Sequence, residues 1–147
     1  MYTPFPQERA MPFVRISFKQ STEPAYRRAV GDSVHAALVA TGVPAQDHFQ
    51  VLSGDGEDLV YDPSYLGIER SDGIVIIQIF LGAGRTLEKK RAIYREIVDR
   101  LVRDHGIRAQ DVFINLIETG LENWSFGNGQ AQYVDTPPAH LTQAPSQ

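Results

Sequence analysis

Few residues in this chain have the type and placement to carry chemistry, and the first is the proline of Met11-Pro12, which stands directly ahead of a strand-like segment. A proline that heads a mature chain is a secondary amine rather than an amide. It can take or give a proton or, when protonated, polarise a carbonyl. A free α-amino group titrates near about 7.7–8.0, and burial among apolar groups lowers that value toward the range useful to a general base. Removal of an initiator methionine is favoured before a small residue such as proline but not before Tyr2. We therefore expect the native chain to begin at Pro12, with residues 1–11 a leader outside the fold. Gln7-Glu8 can be encoded by CAGGAG, an AGGAG-like ribosome-binding sequence ahead of the Met11 codon, which fits a bacterial gene read from too early a start. With the leader attached, Pro12 is an ordinary tertiary amide without a basic nitrogen, and its role reduces to opening a strand.

The second carrier is Arg85. It follows a β-branched run, Ile74 to Leu81, and a Gly82-Ala83-Gly84 turn, and it precedes Thr86, which can cap a helix. Orphan N–H groups and the helix dipole already favour an anion at such a start, so a substrate carboxylate fits beside the guanidinium. The competing reading is a solvated arginine at a helix start.

The elements that must position these groups follow from periodicity. Pro12 to Phe18 alternates as a strand. Ser21 or Thr22 can cap a helix whose first turn holds Pro24 and whose apolar positions are Tyr26, Val30, Val34, Ala37, Leu38 and Thr41, with Gly42 at its end. Phe49 to Leu52 is a short strand, and Leu59 to Tyr61 carries weak strand signals. Ile74 to Leu81 is the central strand, expected to be covered on both faces. Leu87, Tyr94, Ile97, Val98, Leu101 and Val102 form a helical stripe ending at Gly106. Asp111 to Glu118 is strand-like, and Asn128-Gly129 has the chemistry of a tight hairpin turn leading to Tyr133. The order is β-α-β, a linker hairpin, then β-α-β again. Right-handed crossovers put both helices on one face of a four-stranded mixed sheet and leave the other face to be covered by oligomerisation.

Composition bounds the remaining possibilities. The chain has 147 residues, 14 basic against 18 acidic side chains and a net charge of −4, with 42% hydrophobic residues and no cysteine. That describes a single soluble domain, α+β by the element order above and expected over residues 12–134, with a Pro/Thr/Gln-rich flexible tail over 135–147. Disulfides, zinc-thiolate sites and a thiol nucleophile are excluded. The scattered basic residues predict no nucleic-acid partner. No apolar run approaches the roughly 20 residues that span a bilayer, so no membrane partner is expected and a cytoplasmic location follows by default. His35, His48, His105 and His140 lack ligand spacing, and Asp55 to Asp58 lacks that of a calcium loop. There is no nucleophile elbow, phosphate loop or dinucleotide fingerprint. Neither metal nor cofactor is expected.

Several segments, taken in order, resemble the tautomerase superfamily, and within it the malonate semialdehyde decarboxylases and their relatives. They are Met11-Pro12-Phe13, Gly42-Val43-Pro44 through Asp47-His48-Phe49-Gln50-Val51, Arg85, Asp111-Val112-Phe113-Ile114, Trp124-Ser125-Phe126-Gly127 and Gly129-Gln130-Ala131-Gln132-Tyr133. The likeness covers Met11 to about Tyr133. It implies a homotrimer of the fused β-α-β fold and a cofactor-independent reaction on a small oxo-carboxylic acid. It also implies the site: Pro12 as the catalytic amine, Arg85 binding the substrate carboxylate, Asp47 orienting water or substrate, and Trp124, Phe126 and Tyr133 walling the pocket. The decarboxylases carry two arginines around this turn, and here the first falls on Ala83. Three readings therefore stay in competition: decarboxylation of a 3-oxo acid, keto-enol tautomerisation of a 2-oxo acid, and a catalytically silent trimeric binding protein whose Pro12 is blocked by the leader.

Overall fold

The structure, a computed structural model, describes residues 12–20 and 22–135. The expected leader lies outside the described residues, as does the expected tail beyond Asp135. Strands β1 (Phe13–Phe18), β2 (Gln50–Gly54), β3 (Val75–Gly82) and β4 (Val112–Thr119) form one sheet in the order β2-β1-β3-β4. β1 runs parallel to β2, with Val14 opposite Gln50, and antiparallel to β3, with Phe13 opposite Phe80. β3 is parallel to β4, from Val75 opposite Val112 to Gly82 opposite Thr119. A parallel pair needs a crossover, and the helices α1 (Pro24–Ala40) and α2 (Leu87–His105) supply one each, which makes the two β-α-β halves of the internal repeat.

Both helices lie on one face. Val30, Val34, Ala37 and Leu38 of α1 and Ile93, Ile97 and Leu101 of α2 pack into one core with Val14, Ile16 and Phe18 of β1 and Val75, Ile77, Ile79 and Leu81 of β3. Each fully buried Leu or Ile is worth about 1.5–3 kcal/mol of transfer free energy, so this cluster dominates stability. The α2 stripe runs through Ile93, Ile97 and Leu101, four residues apart. Leu87 and Val102, expected in it, are 59% and 43% exposed because they fall off that row.

Alternation divides the apolar β3 run between two environments. Its odd positions enter the core, while Ile76, Gln78 and Phe80 are half-buried on the opposite face. There the register lines up three cross-strand rows: Phe13–Phe80–Ile117, Arg15–Gln78–Asn115 and Ser17–Ile76–Phe113. Phe113 is 46% exposed, so in a single chain this face is open.

The helix ends differ in how they are closed. Thr86 Oγ1 accepts the Lys89 N–H at 3.2 Å and Gly106 takes φ 65°, the left-handed cap expected of it. At α1 the expected cap Thr22 is not the N-cap, and Ser21 lies outside the described residues. Glu23 occupies the N-cap without a side-chain bond, and Pro24 opens the helix, where its missing N–H costs nothing. Thr22 Oγ1 instead accepts from the Arg27 guanidinium at 3.0 Å.

The linker is neither hairpin nor strand at Leu59 to Tyr61. It is built from two 3₁₀ turns, Gly56–Asp58 and Tyr65–Gly67. Long side chains take the carbonyls that a ladder would have used: Lys19 Nζ donates to Leu59 O at 2.7 Å, and Arg70 Nη1 donates to the carbonyls of Asp62, Tyr65 and Ile68. Buried Asp111 fastens the linker's end to β4 by accepting the Ser71 N–H at 2.7 Å and its hydroxyl at 2.6 Å. At the far end Asn128 and Gly129 both have positive φ (60° and 67°), as a type I′ turn requires, yet the chain enters a short helix, α3 (Gln132–Asp135), instead of a strand. The Gln132 side chain substitutes for the missing partner strand, accepting the Phe126 N–H at 2.9 Å and donating to Gly127 O at 2.7 Å. Among the described residues no helix is long and apolar enough to cross a membrane.

Candidate active site

Strand directions gather the candidate residues. Since β1 and β2 run one way and β3 and β4 the other, the beginnings of the first pair and the ends of the second share one edge of the sheet. Pro12, buried, heads β1 there. The Val14 N–H donates to Phe49 O at 3.1 Å, which fixes the segment carrying Asp47 beside it. The Ala83 N–H donates to Thr119 O at 3.0 Å, which carries the β3–β4 ladder past Gly82 toward Arg85.

Arg85 is 7% exposed. Gly84, with φ 121°, turns the chain sharply after β3, and the arginine side chain folds back so that Nη1 donates to Gly82 O at 3.1 Å. Burial pulls the guanidinium below its ordinary pKa, and the negative charge of Glu118 works against that pull. An arginine stays protonated under either influence. A buried cation hydrogen-bonded to a neutral carbonyl retains the capacity to receive an anion.

Asp47 is half-buried, and its N–H donates to Pro44 O at 3.1 Å. The next residue, His48, lies flat on His35, with centroids 3.9 Å apart and planes 6° apart, and His35 Nε2 bonds Ala45 O at 2.9 Å, so the loop rests on α1. Asp47 and Tyr133 are coupled: burial first, and the Asp47 charge second, push the Tyr133 phenol above its ordinary pKa.

Tyr133 belongs to an aromatic cluster. Its ring meets Phe126 edge-on at 4.8 Å, Phe126 stacks on Trp124 at 5.5 Å and 8°, and Phe49 approaches Phe126 at 6.1 Å. Trp124 Nε1 donates to Thr119 Oγ1 at 2.7 Å, which ties the cluster to the end of β4. The three expected wall residues are thus in contact, and Phe49, which sequence reasoning placed only in a strand, joins them. Its signal was its position two residues after Asp47. Phe126 and Phe49 are 40% and 53% exposed, so in one chain the aromatic cluster is open on one side. A cleft of about 510 Å³ between Lys19, Arg27, Glu57 and Asp72 lies at the opposite end of the sheet and shares no residue with this site.

Sequence reasoning also passed over Glu118 and Lys90. Glu118 Oε1 pairs with Lys90 Nζ at 3.2 Å, and the Glu118 charge acts on Arg85. Among the described residues no group of three or more His, Cys, Asp or Glu is placed to hold a metal ion. Chemically, this edge combines a buried guanidinium, a carboxylate and an apolar aromatic surface around the start of β1.

Residues 47–127 match the family described as tautomerase enzyme. The probable tautomerase YusQ of Bacillus subtilis (strain 168) is 37% identical over 127 residues, which is 85% of this chain and 100% of that protein. The crystal structure of the FG41 malonate semialdehyde decarboxylase, inhibited by 3-bromopropiolate, superposes with a TM-score of 0.77 at 40% identity and covers 83% of this chain and 94% of that one. A fused 4-OT, solved as a wild-type symmetric trimer, has the same fold, with a TM-score of 0.65 at 21% identity over 80% of this chain and 94% of its own. The sheet order, the paired β-α-β halves and these matches together make the chain a member of the tautomerase superfamily.

Proposed function

We propose that the protein is a cofactor-independent enzyme acting on a small oxo-carboxylic acid, with Pro12 as its reacting amine. The observation that carries this reading is the buried Arg85 cation at the same sheet edge as the strand-heading proline. Arg85 anchors the substrate carboxylate, Asp47 orients water or substrate, and Trp124, Phe126 and Tyr133 exclude water and lower the amine's pKa.

Two reactions fit these parts. In decarboxylation, the protonated amine polarises the 3-oxo oxygen and the bond to the carboxylate carbon breaks. Its electron pair forms the carbon–carbon double bond of an enol, and CO₂ departs. In tautomerisation, the neutral amine moves a proton between the oxygen and carbon ends of a 2-oxo acid's enol. The FG41 neighbour, a malonate semialdehyde decarboxylase, supports the first. Ala83, exposed where the decarboxylases' second arginine is expected, favours the second, because a single guanidinium is then left to hold the carboxylate.

The assembly we propose is a homotrimer, supported by the fused 4-OT trimer and by the apolar rows Phe13–Phe80–Ile117 and Ile76–Phe113 on the open sheet face. The competing reading, a silent binding protein, follows if residues 1–11 stay attached and leave Pro12 an amide.

The test is an assay of protein that starts at Pro12, using malonate semialdehyde with CO₂ release and enol-phenylpyruvate with loss of enol absorbance. Turnover of either supports the enzyme reading, and the faster of the two names the reaction. Turnover of neither rejects it.

A further inference from the structure

The Arg85 site contains its own potential inhibitor. Glu118 sits opposite Leu81, one residue before the Gly82–Thr119 pair, and Gly82 O is the group that Arg85 Nη1 bonds. Along β4, Val112, Ile114 and Leu116 face the core, so alternation puts Glu118 on the same side, toward α2. A carboxylate in that place is the natural bidentate partner of a buried guanidinium, and such a pair would fill the position a substrate carboxylate needs. Among the described residues, however, the ion-pair partner of Glu118 is Lys90 in the first turns of α2, at 3.2 Å. The two side chains are 27% and 31% exposed, so their pairing is only partly screened by solvent. Glu118 nevertheless remains near enough to oppose the effect of burial on Arg85.

We propose that Lys90 is a positioning residue: by holding the Glu118 carboxylate, it keeps the Arg85 guanidinium open to the carboxylate of the substrate. The inference rests on the reading of Arg85 as the carboxylate anchor. The charge count is consistent with it. Arg85, Lys90 and Glu118 sum to one positive charge, which matches one monoanionic carboxylate. Without Lys90 the sum is zero, and Glu118 is left to the influence of Arg85. Lys90 does not itself touch substrate on this account, so its loss is repaired by removing Glu118 as well. That separates it from a second substrate-binding cation.

The experiment measures calorimetric binding of 3-hydroxypropanoate, a non-reacting monocarboxylate, to protein that starts at Pro12. The variants are Lys90→Met, Glu118→Gln, the double variant, Lys90→Arg, Arg85→Met and Lys89→Met, the last removing an equal charge from an exposed neighbour. We expect Lys90→Met to weaken binding roughly tenfold, the scale of one charge-assisted hydrogen bond. The double variant and Lys90→Arg should return to within about twofold of the parent. Glu118→Gln should bind no more weakly than the parent, and Lys89→Met should match it. A double variant as weak as Lys90→Met overturns the proposal, as does an unaffected Lys90→Met while Arg85→Met loses binding. If the parent does not bind, or Arg85→Met binds like the parent, the Arg85 reading itself fails.

Discussion

Replacing Arg85 with methionine keeps most of the side chain's volume and removes the cation, so the change isolates the anchor. A charge-assisted hydrogen bond is worth about 1.5–3 kcal/mol when its partner is otherwise left unpaired, which corresponds to roughly 10- to 150-fold in affinity. At 7% exposure Arg85 is poorly screened, which favours the upper half of that range, while the opposing field of Glu118 reduces it. We therefore expect KM for enol-phenylpyruvate to rise by about 30-fold and kcat to change by less than about threefold, because the carboxylate is held in ground and transition states alike. Folding should be nearly unaffected. The variant loses one bond to Gly82 O, worth about 0.5–1.5 kcal/mol, and is also relieved of a buried charge. Steady-state kinetics with a thermal melt on the same preparation is the assay. An unchanged KM in a folded variant refutes the placement of the substrate carboxylate.

Burial and the Asp47 charge hold the Tyr133 phenol above its ordinary value, so its neutral form contributes stability in full below about pH 10, the unfolded value, and that contribution is lost as the pH rises beyond it. Tyr133→Phe should flatten the alkaline limb of a stability curve, measured by urea unfolding from pH 7 to 11, and an equally steep limb would show that other groups set it. Phe113→Asp, on the open sheet face and 46% exposed, should convert a trimer to monomers in sedimentation velocity while leaving the far-ultraviolet spectrum unchanged. A parent protein that sediments as a monomer at micromolar concentration contradicts the proposed assembly.

What was legible in the sequence was what neighbouring residues decide. The β-α-β repeat, the Thr86 and Gly106 caps and the backbone of the Asn128-Gly129 turn depend on local periodicity and φ preference, and each is present. The errors share a different cause. The linker's carbonyls are claimed by Lys19 and Arg70, and the chain beyond Asn128-Gly129 is closed by the Gln132 side chain, so tertiary bonds override weak strand signals. The site divides in the same way. Arg85 was visible as a cation at a helix start, whereas the Lys90–Glu118 pair joins α2 to β4 and has no local signature. Phe49 reads as a strand residue until the fold brings it against Phe126.

If the secondary amine of Pro12 does the chemistry, a single comparison of kcat reveals it. One preparation begins at Pro12, and the other carries residues 1–11 intact, each start verified by the mass of the same sample. General acid or base catalysis is worth roughly 10² to 10⁴ in rate, so kcat should fall by that factor in the extended chain, where the nitrogen is an amide. Equal kcat for the two preparations would contradict that role for Pro12.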